Sequence, residues 1–172
     1  MRHEPAGLER RQCAQDLGSR DRAGAVARVQ LTRLDGLLER MRANHAQLSE
    51  EVDALPGLTL RSPNDEGGDA GIALIAFTES AALACEAAAA LQAEGVFAMQ
   101  IYSREVVDLH VYPYWRPVLD AIASAGAAPP DCPRTLDLLE RTVHIDVSPL
   151  CDAQDLDEIA LAFRKVATQV LA

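Results

Sequence analysis

Ile72-Ala-Leu-Ile-Ala-Phe77, Thr78-Glu-Ser80, an alanine-rich run from Ala81 to Ala93, Glu94-Gly95 and Val96-Phe-Ala-Met-Gln-Ile101 follow one another and decide the fold. The first six residues are a continuous apolar run of strand length, the pattern of a strand buried on both faces. Ser80 suits a helix N-cap and Gly95 the position just past a helix end, so the two bracket the alanine-rich run as a helix. Leu83, Ala87, Ala90 and Leu91 fall on its inward stripe. Val96 to Ile101 supplies a second strand. Strand, helix, strand with tight junctions predicts an α/β layer.

Upstream, Leu58 to Arg61 reads as a short strand ended by Ser62-Pro63, and Asn64 to Gly71 as a turn-rich loop around Gly67-Gly68. Before these, Ala27, Leu31, Leu34, Leu38, Met41, His45, Leu48, Val52 and Leu55 recur at steps of four and three. That spacing predicts one long amphipathic helix from Val26 to Leu55, stopped by Pro56-Gly57. A helix of roughly thirty residues spans about 45 Å, more than a small core needs, so it lies along its own domain, bridges two bodies or packs on a partner. His45 and Ala27 interrupt the seam a coiled coil requires. Residues 1–23 are polar, Arg-rich and without period, and read as a poorly ordered tail.

Downstream, residues 102–133 are the least regular part, ending in the Pro-containing linker Ala127 to Pro133. Arg134 to Arg141 reads as a short helix. Val143-His-Ile-Asp-Val147 alternates as a strand with one buried face. Asp152 and Asp155 form a capping box for a last helix, whose stripe is Leu156, Ile159, Ala160, Phe163, Val166, Ala167 and Val170. The predicted fold class is therefore α/β (α+β): a small, mainly antiparallel sheet covered by helices, with a long amino-terminal helix. The expected division is 1–23 tail, 24–57 connecting helix and 58–172 small α/β domain.

The formal charge of −10 is uneven. Residues 1–45 hold nine Arg against six acids (+3), and residues 46–172 hold seven Lys or Arg against twenty acids (−13). An acidic body argues against nucleic acid as the partner, and the basic front reads as a solvated tail or a weak electrostatic arm. No apolar run reaches the ~20 residues of a membrane span, and the start Met1-Arg-His-Glu-Pro5 lacks the apolar core of a secretory signal. Cys13, Cys85, Cys132 and Cys151 show no metal-ligand spacing, which fits reduced thiols in a cytoplasmic protein and no metal site.

Several blocks together resemble the DegT/DnrJ-type sugar aminotransferases, pyridoxal-phosphate enzymes of the aspartate-aminotransferase fold. They are Gly24-Ala-Val-Ala-Arg-Val-Gln-Leu31 with Arg33-Leu34-Asp35, Glu94-Gly95-Val96 through Tyr102, Cys132-Pro133 to Val147-Ser-Pro-Leu150, and Asp155 to Val166. No block is specific alone, but their order and spacing are, over residues 24–172. The resemblance breaks before Gly24, where Gly18-Ser-Arg-Asp-Arg22 stands in place of a motif that helps hold the partner subunit's cofactor.

The resemblance implies the carboxy-terminal, small-domain part of such an enzyme, which transaminates a keto-sugar. It also implies that a preceding large domain carries the cofactor and the Schiff-base lysine. The expected partners follow: a chain supplying the cofactor domain, or a second copy through the long helix. Tyr102, Arg104, His110, Tyr112, Tyr114 and Trp115, with Arg116, face the substrate pocket by the same resemblance, where hydroxyls, rings and guanidinium groups bind sugars and anions. The competing reading is a loop whose aromatics merely cover the small domain.

Composition tests the enzyme reading directly. Schiff-base chemistry needs a lysine amine, and the one lysine here is Lys165, beside Arg164 and off the apolar stripe of the last helix. It reads as a surface lysine. No catalytic residue and no pyridoxal phosphate is therefore expected for this chain alone, and the alternative function is a non-catalytic interaction module or split-enzyme subunit. His144 is expected to point to solvent or a helix edge, and His45 to be a hydrogen-bonded interface histidine.

Overall fold

The computed structural model describes residues 21–103 and 111–172. The chain divides after Glu39 into two compact units. In the first, helix α1 is described over residues 21–31 and is followed by the start of α2 (Leu34–Asp53). The long helix expected from Val26 to Leu55 is thus two helices. At the break, the Thr32 hydroxyl donates to the Val29 carbonyl at 2.7 Å and the Arg33 N–H to Gln30 O at 3.0 Å. A threonine side chain bonded three residues back competes with the helical ladder, and apolar spacing carries no trace of it. Residues 21–23, assigned to the tail, belong to α1, and the remainder of that tail lies outside the described residues.

The second unit begins at Arg40. Its strands are β1 (Thr59–Leu60), β2 (Ala73–Phe77), β3 (Ala98–Met99) and β4 (Thr142–Asp146). Its further helices are α3 (Ala81–Ala93), α4 (Arg116–Ser124), α5 (Pro133–Glu140) and α6 (Ala153–Gln169), with a 3-10 turn over Tyr112–Tyr114. The sheet order is β1-β2-β4-β3 with every neighbouring pair antiparallel. β2 and β3 therefore run parallel with β4 inserted between them, a split β-α-β unit. Helix α4, inside the stretch read as irregular, was hidden by Pro117. Proline breaks a helix interior but suits its first turn, where the missing N–H has no partner to lose.

Register sorts the sheet into two faces. Leu74, Val143, Ile145 and Ala98 share one face with Leu48 and Val52 of α2, Ala84, Ala87, Ala88 and Leu91 of α3, and Leu156, Phe163 and Val166 of α6. On the other face Ala73, Ile75 and Phe77 are only half-buried. The run Ile72–Phe77 is thus not buried equally on both faces, because α2, α3 and α6 all pack on the Leu74 side. The stripe of α3 is rotated slightly: Ala84 and Ala88 are buried, while Leu83 and Ala90 are half-buried.

The helix ends follow their local chemistry. Ser80 accepts the Leu83 N–H at 3.2 Å. Past α3, Gly95 (φ 90°) donates to Gln92 O at 3.0 Å and Val96 to Leu91 O at 2.9 Å. This is a Schellman closure, which needs a residue in the left-handed region. Asp152 accepts from the Gln154 and Asp155 N–H groups, and the Asp155 carboxylate accepts from the Asp152 N–H, completing the capping box. Among the described residues, no helix is long and apolar enough to cross a membrane.

Candidate functional site

The site segment grows out of the edge strand β3 and returns into α4. Thr142, at the start of β4 and 1% exposed, sits behind it. Its hydroxyl donates to Leu139 O at 2.7 Å and accepts the Ile101 N–H at 3.0 Å. The Gln100 side-chain amide donates to Ala81 O at 3.2 Å and to Glu140 O. These two side chains tie the exit of β3 to the ends of α3 and α5. Nothing in an alternating strand marks Thr142 as such a joint, so sequence reasoning missed it.

Beyond this joint the aromatics come together. Tyr102 is buried, and its ring lies 6.1 Å from that of Tyr114 with the planes tilted by 54°. The Tyr114 hydroxyl donates to Ser103 O at 3.2 Å, and the Tyr112 hydroxyl accepts the Cys132 N–H at 3.0 Å. The tyrosines therefore join three segments that are distant in the chain. Trp115 caps α4, its carbonyl accepting from Val118 and Leu119, and its side chain is 45% exposed. Arg116 is exposed on the first turn of α4. Arg104 and His110, the other residues expected here, lie outside the described residues. A cavity of about 450 Å³ beside the segment is lined by Ser103, Gln100, Glu140, Cys85 and Glu86 rather than by the rings.

His144 lies on the half-buried face of the sheet, in register with Ile75 of β2 and Met99 of β3. Its Nδ1 is buried without a hydrogen-bond partner, and its Nε2 is 3.5 Å from Asp146 Oδ1. The histidine expected at solvent or a helix edge is thus flanked by apolar strand neighbours, because its parity in β4 puts it on the face the core helices leave uncovered. His45 is half-buried on α2, with Nδ1 3.4 Å from Ser49 Oγ. Nearby, Arg42 donates to Asp69 O at 2.8 Å and Arg61 pairs with the Asp69 carboxylate at 3.1 Å. The Gly71 N–H, and next the Arg61 guanidinium, hold that carboxyl below the usual carboxylate range.

Lys165 is part-exposed on α6 and ion-paired with Glu94. At the N-termini of α3 and α6, Ser80 accepts the Leu83 N–H and Asp152 accepts the Gln154 and Asp155 N–H groups. Among the described residues, no group of three His, Cys, Asp or Glu is placed to hold a metal.

A sequence model described as the DegT/DnrJ/EryC1/StrS aminotransferase family matches residues 17–164. No curated protein matches. Among solved structures, the chain is similar to the aminotransferase TlmJ from Streptoalloteichus hindustanus, with TM-score 0.65 and 18% identity over 85% of this chain and 36% of that one. DesV from S. venezuelae, in complex with a ketimine intermediate, gives TM-score 0.62 and 24% identity over 85% and 36%. PseC from Helicobacter pylori, an aminotransferase of pseudoaminic acid biosynthesis, gives TM-score 0.62 and 11% identity over 81% and 35%. At these identities the likeness is one of fold. The chain spans about a third of each of these structures.

Proposed function

This chain belongs to the DegT/DnrJ/EryC1/StrS aminotransferase family, and from that premise we propose that it is the carboxy-terminal, small-domain part of a pyridoxal-phosphate-dependent sugar aminotransferase. In this reading it is inactive alone. It contributes to amino transfer onto a keto-sugar when a cofactor-bearing segment outside these 172 residues supplies the Schiff-base lysine. The setting is cytoplasmic. The observation that carries the reading is a family match over residues 17–164 in a chain whose one lysine is ion-paired to Glu94 at the surface.

In the assembled enzyme, Tyr102, Arg104, His110, Tyr112, Tyr114 and Trp115 form the wall facing the sugar. Trp115, already exposed, stacks on the sugar ring, and Arg104 and Arg116 take anionic groups of the substrate. A second reading is a non-catalytic module that keeps the fold and binds a partner. It is favoured by the tyrosine hydroxyls being engaged with the backbone, Tyr114 with Ser103 O and Tyr112 with the Cys132 N–H.

The test is reconstitution. The chain is mixed with pyridoxal phosphate, alone and with a separately produced large domain of a family enzyme, and amino transfer to keto-sugars is followed with a panel of amino donors. Transfer only in the combined sample supports the first reading. Transfer by the chain alone, lost in Lys165→Ala, refutes it. No transfer in either sample leaves the binding module as the better account.

A further inference from the structure

We draw no further inference here: the strongest candidate, the half-open face of the sheet where Ile75, His144 and Met99 lie side by side and the His144 Nδ1 is buried without a hydrogen-bond partner among the described residues, carries nothing, because nothing in the structure shows what covers it.

Discussion

Thr142→Val is the sharpest probe of how the candidate site is held. Valine keeps the branched shape, so packing in β4 is retained and only the hydroxyl is lost. Two groups then lose a partner: the Ile101 N–H, at 3.0 Å, and the Leu139 carbonyl, at 2.7 Å. Leaving a buried donor or acceptor unpaired costs about 1–3 kcal/mol each, and the Ile101 amide is part-buried, so the sum is about 2–4 kcal/mol. For a chain of this length about 1 kcal/mol lowers Tm by about 2–4 °C, giving a fall of about 4–16 °C. Urea unfolding measures the loss, and amide hydrogen exchange reads the joint directly, with the Ile101 amide exchanging much faster in the variant. Thr142→Ser keeps the hydroxyl and should hold Ile101 protection near that of the unmodified chain. A Thr142→Val loss below about 0.5 kcal/mol, the range of ordinary surface changes, would refute the reasoning. So would a serine variant that leaves the Ile101 amide as unprotected as valine does.

Gly57 has φ 76°, and a Cβ there would meet Leu171 Cβ at 2.8 Å. Gly57→Ala should therefore cost more than the ~1–2 kcal/mol of the left-handed conformation alone, and removing Leu171-Ala172 from the variant should return part of it in thermal melts. The depressed Asp69 carboxyl contributes stability that is fully present above the ordinary aspartate range, about 3.9, and is lost as pH falls through its lower folded value. Asp69→Asn should accordingly destabilise at neutral pH, with the difference from the unmodified chain shrinking in acid; an equal difference at both pH values would count against it. Asp152→Ala removes the acceptor for two N–H groups of α6 and should lower stability by about 0.5–2 kcal/mol in urea unfolding.

What the sequence made legible was local. Ser80, Gly95, Asp152 and Asp155 announce their helix ends because capping chemistry is settled within a few residues. The stripe of α6 was readable for the same reason: Leu156, Ala160, Phe163, Val166 and Ala167 are buried as their spacing predicts. The split of β2 from β3 by β4 was not readable, since register across sixty residues leaves no periodic mark. Nor was the half-open side of β2, because an apolar run reads alike whether helices cover one side or two. At the site, the resemblance pointed to Tyr112 and Tyr114 as ligand groups. Their hydroxyls also meet backbone atoms of Cys132 and Ser103, partners that only the tertiary arrangement supplies.

The insertion of β4 between β2 and β3 also fixes an order of events during synthesis. Residues 72–101 leave the ribosome as strand, helix and strand, yet β2 and β3 share no ladder with each other. The two strands stay unjoined until Thr142–Asp146 arrives to pair with both. Through that interval the apolar Ala73–Phe77 strand has one unpaired edge, a template for wrong pairing with another nascent chain. Folding is thereby weighted toward its late, non-local step, and yield on expression will depend on how quickly residues 102–146 follow.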